Sequence, residues 1–262
     1  MLIDGFDTDP CISNPHNRHY YGAMYEALGM VKAMDWYAYW LVNDRPVDPR
    51  FVKISERTMK RTPGLELRPA DMKTFEEDVQ EFWGLYNDAW ERNWGHVFMT
   101  KEEFMFTAAG LKQVVDPSLV WYAFIDGELA AAVLTLPDWN QVVKGMNGRL
   151  FPTGWFKFLT GRKKIDHLRV FILGVKHKFQ KLPLGALLYV KTWESGGRLG
   201  VKGAEASLIL ETNQRMRGAL EKLGGTIYKT YRSYEFPLVP GVEVGGHAEK
   251  AAADVSTLAS KG

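Results

Sequence analysis

LRVFILGVKHKFQKLPLGALLYVKTW, residues Leu168 to Trp193, decides the reading of this chain. It opens on an almost unbroken apolar run, Val170 to Val175, with the length of a buried strand. A basic turn follows, Lys176 to Lys181. Pro183 stands where a first helical turn tolerates proline, and Ala186, Leu187, Leu188 and Val190 continue an apolar helix. A strand that feeds a helix through a cationic, glycine-containing turn makes a natural anion cradle. The first N–H groups of a helix have no intrahelical acceptor, and the helix dipole adds partial positive charge there. The plainer alternative is an ordinary connection whose lysines are simply solvated.

The pattern stays regular on both sides of this stretch. Leu65–Arg68 reads as a short strand. Thr74 with Glu77, and Thr100 with Glu103, have capping-box spacing. Apolar residues at helical spacing follow each: Phe75, Val79, Phe82, Tyr86 and Trp90, then Phe104, Ala108, Leu111 and Val115. Leu119–Ile125 and Leu129–Leu136 are strands joined by Asp126-Gly127, a hairpin dipeptide. After the central strand and helix, stopped at Gly196-Gly197, come a strand over Ala204–Leu210, a helix capped by Asn213 and closed at Gly224, and an alternating strand over Ile227–Phe236. The predicted fold is an α/β, mixed but mostly antiparallel sheet flanked by helices, in the order β-α-α-β-β-(insertion)-β-α-β-α-β.

That order, over roughly residues 65–237, resembles the GCN5-related N-acetyltransferases. Their cofactor turn reads Arg/Gln-x-x-Gly-x-Gly/Ala. Here it reads Gln180-Lys181-Leu182-Pro183-Leu184-Gly185, followed by Ala186. Gln180 and Gly185 match; Pro183 replaces the first glycine and brings no N–H. The resemblance implies acetyl-CoA, or another acyl-CoA, as co-substrate. Its pyrophosphate would lie on Gln180, Lys181, Leu182, Leu184, Gly185 and Ala186, with Lys176 and Lys178 nearby. Its pantetheine arm would run along Leu173, Gly174 and Val175, and Asn213 and Met216 would contact that arm. A backbone N–H near Val175 would polarise the thioester carbonyl. The family's usual tyrosine acid falls here on Leu220. Glu211 and Tyr189 are the remaining acid–base candidates, with Glu205 as a further carboxylate. Glu91 and Trp94, in the loop between the two early helices, are expected to read the acceptor, an amine of a small molecule or peptide. Each of these residues also has a plain reading, as a surface carboxylate, a helix cap or a core aromatic. A non-catalytic binding protein of the same fold is the alternative favoured by Pro183 and Leu220.

The N-terminal piece echoes the C-terminal end. Met24-Tyr-Glu-Ala-Leu28-Gly29 followed by Tyr39 aligns with Ala219-Leu-Glu-Lys-Leu223-Gly224 followed by Tyr234. Chance similarity is one explanation. The other makes residues 1–50 the remnant helix and strand of a first repeat, as in tandem members of the family, adding to a sheet edge or pairing a homodimer. Residues 51–63 then read as a charged linker, 64–238 as the acyltransferase domain with an insertion at 138–165, and 239–262 as a disordered tail.

Composition narrows the classes. With 262 residues, 46% hydrophobic, the chain can bury a sizeable core, and a formal charge of +2 selects no polyanionic partner. One cysteine, Cys11, allows no internal disulfide, and the start MLIDGFDTDP lacks a signal-peptide pattern, so a cytoplasmic protein is expected. The six histidines show no metal-ligand spacing, and no metal is expected. From Trp139 to Leu182 there are ten Lys/Arg against one acid, Asp166, with Phe151, Trp155, Phe156 and Phe158 interleaved. That segment reads as a solvated lid or, over 151–164, as a peripheral membrane contact serving a longer acyl donor at a membrane or acyl-carrier surface. Nucleic acid is the weaker reading.

Overall fold

The computed structural model describes residues 1–239 and 241–248. In chain order the elements are β1 (Leu2–Asp4), α1 (Tyr21–Ala27), β2 (Val31–Val42), α2 (Pro49–Arg61), β3 (Leu65–Pro69), α3 (Phe75–Trp90), α4 (Lys101–Leu111), β4 (Val120–Ile125), β5 (Glu128–Pro137), α5 (Asn140–Val143), α6 (Gly154–Gly161), β6 (His167–Val175), α7 (Leu184–Arg198), β7 (Gly203–Leu210), α8 (Gln214–Lys222) and β8 (Thr226–Glu235). The strands form one eight-stranded sheet in the order β1-β8-β2-β7-β6-β5-β4-β3. From β3 onward the order is the predicted one, with α5 and α6 inside the insertion. Two compact units divide the chain: Val42–Ala204, and Met1–Leu41 with Glu205 onward. The N-terminal piece therefore shares a unit with the last β-α-β.

In the larger unit, β5 is buried at every residue from Leu129 to Pro137. A strand covered on both faces reads as a continuous apolar run. On one face α7 seats Leu184, Leu187 and Leu188 against Leu65, Ala123, Ile125, Ala131 and Val133. On the other face α3 comes so close to β6 that a Cβ on Gly174 would stand 2.6 Å from Trp90 and 2.9 Å from Leu85. Leu173 and Val175 pack with the α7 cluster, as the period-2 alternation of a strand requires. The β4–β5 hairpin turns on Asp126 (φ 50°) and Gly127 (φ 80°), the left-handed pair of a type I′ turn.

Three local expectations change. Residues 51–63 are not a linker: α2 is capped by Asp48, starts at Pro49, and buries Phe51, Ser55 and Thr58. Phe51 meets Tyr189 of α7 edge-on at 6.5 Å. Two of its three buried residues are polar, which hid the helical period. The capping box at Thr100 and Glu103 is present, but Thr74 makes no cap bond to its helix; its hydroxyl turns to Asp71 and Asp78. Helix α7 passes Gly196 and Gly197 and ends beyond Arg198, before Gly200 at φ 72°. Gly196 is where Asn43 and Leu168 approach the helix, so its missing side chain serves packing.

In the smaller unit, β2 pairs antiparallel with β8, with Trp36 opposite Tyr231, and has β7 as its other neighbour. The expected place of the N-terminal strand, at a sheet edge or on a partner, is thereby corrected; β1 takes the outer position beside β8. An inner place pairs the strand on both sides. The helix–strand corners that align in sequence also share a geometry. Gly29 and Gly224 have φ of 81° and 85°; Met30 donates to the Tyr25 carbonyl as Gly225 donates to that of Leu220. Both are Schellman-type ends. The tail expected from 239 lies largely outside the described residues; before that, Gly245 N–H and His247 Nε2 meet Glu235. Among the described residues no helix is long and apolar enough to cross a membrane.

Gly174→Val should destabilise the chain by about 1–3 kcal/mol, because the rigid Trp90 ring and Leu85 leave no room for the added methyls. Urea denaturation measures this, and Trp90→Ala in the same chain should recover part of the loss.

Candidate functional site

The geometry at the end of β6 follows from its ladder. Lys176 N–H donates to Ala130 O at 2.9 Å, and Gly174 lies opposite Ala132. Antiparallel pairs alternate, so Leu173 and Val175 turn their peptide groups away from β5, to the side on which β7 follows in the strand order. A single 3-10 turn, His177–Phe179, follows. Gln180 Nε2 returns to Val175 O at 3.4 Å. Leu182 N–H donates to Phe179 O at 2.9 Å, and Ala186 N–H to Pro183 O at 3.1 Å. Leu182 is thus corrected as a cradle donor, and Ala186 is committed within the helix start. Pro183 is the N-cap of α7. Among the described residues the N–H groups of Leu184 and Gly185 meet no acceptor. A Cβ on Gly185 would find nothing closer than Leu173 at 4.0 Å, so there is free space beside Gly185. The cradle is narrower than its sequence suggests: two amides at a helix N-terminus, with exposed Lys181 beside them.

The other cations of the turn are engaged. Lys176 reaches Glu128 at 3.0 Å, and Lys178 reaches the second oxygen of the same carboxylate. These two lysines hold the Glu128 carboxyl below its ordinary pKa, Lys178 more strongly than Lys176. Exposed ion pairs of this kind are weak. His177 donates its backbone N–H to Asp88 at 2.7 Å and sets its ring Nδ1 3.2 Å from the same oxygen. Sequence reading missed both carboxylates: Asp88 lies 89 residues from His177, and no local pattern marks such a pair. A cleft of about 540 Å³ lies on the α3 side, bounded by Gln80, Trp83, Gly84, Asp126, Glu128 and Lys176.

The acid–base and acceptor candidates fall elsewhere. Tyr189 is buried on the α2 side of α7, and burial raises its pKa far above the ordinary phenol value. Its ring meets Phe51 of α2 edge-on. Glu91 is the exposed C-cap of α3, and Trp94 follows half-buried in the loop. Asn87 pins the far end of that loop through two bonds to the Met99 backbone. It is Trp90, stacked 5.0 Å from Tyr86, that packs on β6.

In the smaller unit Asn213 caps α8 through Met216 N–H at 3.1 Å, which occupies its oxygen. Glu211 has both oxygens engaged, one by Asp35 N–H and one by Lys32 Nζ, each at 2.8 Å. Asp35 in turn takes a two-pronged bond from Arg232. Glu205 is fully buried and accepts from Asn14 and Ser207, each at 2.5 Å, and from the Tyr228 hydroxyl. Burial, and then the Glu205 charge, drive the Tyr228 pKa far up, so it stays a neutral donor. Both carboxylates are clasps within their unit. Leu220, at the family's acid position, is buried. Among the described residues no group of three His, Cys, Asp or Glu side chains forms a metal site.

No family model matches this chain. Over 243 residues it is 37% identical to the bacterial ceramide synthase of Caulobacter vibrioides, an alignment covering 90% of this chain and 62% of the relative. The chain thus spans less than two thirds of that protein. Among solved structures it resembles a GCN5-related N-acetyltransferase from Sphaerobacter thermophilus, with a TM-score of 0.58 and 14% identity over 87% of this chain and 59% of that one. A tandem protein of the same fold from the clavulanic acid biosynthesis pathway gives a TM-score of 0.50 and 16% identity over 88% and 63% of the two chains. The fold is that of the GCN5-related N-acetyltransferases.

The Asp35 clasp makes stability depend on acid. Burial alone would raise the Asp35 pKa, but Arg232 and Lys32 overcome it and hold the carboxyl below its usual range. The folded pKa is lower than the unfolded one, so this stabilisation is present above about pH 4 and lost as pH falls through the folded value. Asp35→Asn should cost roughly 3 kcal/mol at neutral pH, because it leaves Arg232 without its charge partner. It should also flatten the acid limb of stability; urea midpoints measured from pH 7 down to pH 3 check both.

Proposed function

We propose that this chain is an acyl-CoA-dependent N-acyltransferase whose acceptor is the amine of a long-chain amino lipid. One observation carries the reading: the open helix start at Leu184 and Gly185 follows the central strand of an acetyltransferase fold, in a chain 37% identical to a protein named a ceramide synthase. Ceramide is the amide of a fatty acid with a long-chain amino alcohol, so making it joins an acyl thioester to an amine. A long acyl donor accounts for that likeness better than the acetyl group with which the sequence reading begins.

The residues fit the anionic end of coenzyme A. The two open amides and Lys181 would hold the pyrophosphate. The outward peptide groups of Leu173 and Val175 would align the pantetheine arm and polarise the thioester carbonyl. The amine nitrogen attacks that carbonyl, the C–N bond forms, the C–S bond breaks, and coenzyme A leaves as thiolate. A thiol with a pKa near 8.5 leaves with little help, so a missing acid at Leu220 is tolerable. The attacking amine must lose a proton; Glu211 is already engaged by Asp35 N–H and Lys32, and Tyr189 is buried with its pKa raised, so neither is a ready base. This favours one rival, a protein that binds acyl-CoA without transferring the acyl group.

Calorimetric titration with coenzyme A, acetyl-CoA and palmitoyl-CoA, followed by mass spectrometry of products from a long-chain amino alcohol, separates the readings. Binding and an amide product are expected, with palmitoyl-CoA preferred. No binding by any of the three defeats the proposal, and binding without product supports the rival. Pro183→Gly should tighten binding up to about tenfold, the worth of one added N–H to a charged group. Lys181→Glu should weaken it by a similar factor.

A further inference from the structure

Helix α6 is apolar on both sides. Its inner side is Gly154, Phe158 and Gly161, at positions one, five and eight of the helix. Gly154 lies against the Arg149 carbonyl, Gly161 against Val142 of α5, and Phe158 stacks on Trp139 with ring centres 4.6 Å apart. The contacts at the glycines are tight: a Cβ would stand 2.1 Å from the Arg149 oxygen and 2.5 Å from Val142. This side fixes which way the helix faces. The opposite side carries Trp155, Phe156 and Leu159, with relative exposures of 46%, 58% and 70%, and the preceding Phe151 is 74% exposed. An exposed apolar face of this kind marks an interaction surface.

Charge identifies what covers it. Residues 144–164 hold six cations, Lys144, Arg149, Lys157, Arg162, Lys163 and Lys164, and no acid. Arg149, Lys163 and Lys164, in the segments on either side of α6, are exposed. Lys157 reaches the Gly145 carbonyl and Arg162 reaches Asp116; among the described residues Lys163 and Lys164 meet no side-chain partner. Exposed Trp and Phe beside exposed Lys and Arg is the composition of a segment lying at a lipid interface, rings at headgroup level and cations on anionic headgroups.

We infer that the outer face of α6 docks this chain onto an anionic bilayer surface. The inference deepens the proposed function, since a long-chain amino lipid is met at such a surface. The test reads binding alone, so a chain that binds vesicles yet acylates nothing would defeat the proposed function and leave this inference standing.

Co-sedimentation compares phosphatidylglycerol-rich vesicles with pure phosphatidylcholine vesicles. The chain should pellet with the first and stay in the supernatant with the second. Trp155→Ser with Phe156→Ser, and separately Lys163→Glu with Lys164→Glu, should each weaken binding about tenfold or more while thermal unfolding stays unchanged. A polarity-sensitive dye on Leu159→Cys should shift to the blue with the anionic vesicles only; native Cys11 is buried and out of its reach. The inference is overturned if the native chain fails to pellet, or if either double variant binds as well as it does. It is equally overturned if the same substitutions abolish a dimer, or a complex with an acidic acyl-carrier protein, while vesicles bind nothing.

Discussion

Strand β5 must be covered on both faces. From Leu129 to Pro137 it offers water no residue, so one layer has to come from α3 and another from α7. Most of the larger unit follows from that requirement. Strand β6 lies beside β5 and alternates, Gly174 toward Trp90 and Leu173 and Val175 toward α7. A helix packed on the strand it has just left must begin within a few residues of that strand. Its first amides therefore open at the strand's end. The anion cradle is a consequence of how the core is closed, with Pro183 and the short turn settling how many amides remain open.

The smaller unit is held by buried charge. Glu205 and Lys229 are both fully buried. Each is satisfied by the N-terminal segment, Glu205 through Asn14 and Lys229 through the carbonyls of Gly5 and Thr8. Burial lowers the Lys229 pKa, which shows how much the surrounding bonds must supply. Buried charges left alone are costly, so the segment ahead of α1 belongs to the fold. Glu211 and Asp35 act similarly between the end of β7 and β2. Carboxylates that look like chemistry in a sequence can be fully occupied in holding strands together.

The insertion differs from both. Helix α6 gives one side to Trp139 and Val142 and leaves aromatic rings and lysines on the other. Where β5 dictates its coverings, α6 is supplied with none by the described residues. Its composition is that of an interface, and the likeness to a protein named for a lipid product gives such an interface a use.

Several features were legible in the sequence because they rest on local chemistry. Alternation marked β8; helical spacing marked α3 and α4; two apolar runs joined at Asp126-Gly127 marked the β4–β5 hairpin; Gly29 and Gly224 marked the matching helix ends. The element order from β3 to β8 came from local signals of this kind, and the resemblance of that order to the acetyltransferases supplied the fold. Helix α2 was not legible, because its buried side is partly Ser55 and Thr58, whose hydroxyls break the apolar period. The position of β2 beside β7 and β8 is a matter of strand pairing, which no run of residues encodes by itself. The site divides in the same way. A cationic strand–turn–helix with Pro183 and Gly185 could be read directly. Only the tertiary structure decided that Glu128 takes two of its lysines, that Asp88 takes His177, that Leu182 is spent on its own turn and that Tyr189 faces α2. Each of those partners lies across a helix, a hairpin or a turn of the chain, and hydrogen bonds and burial are set by distance in space rather than by spacing along the sequence.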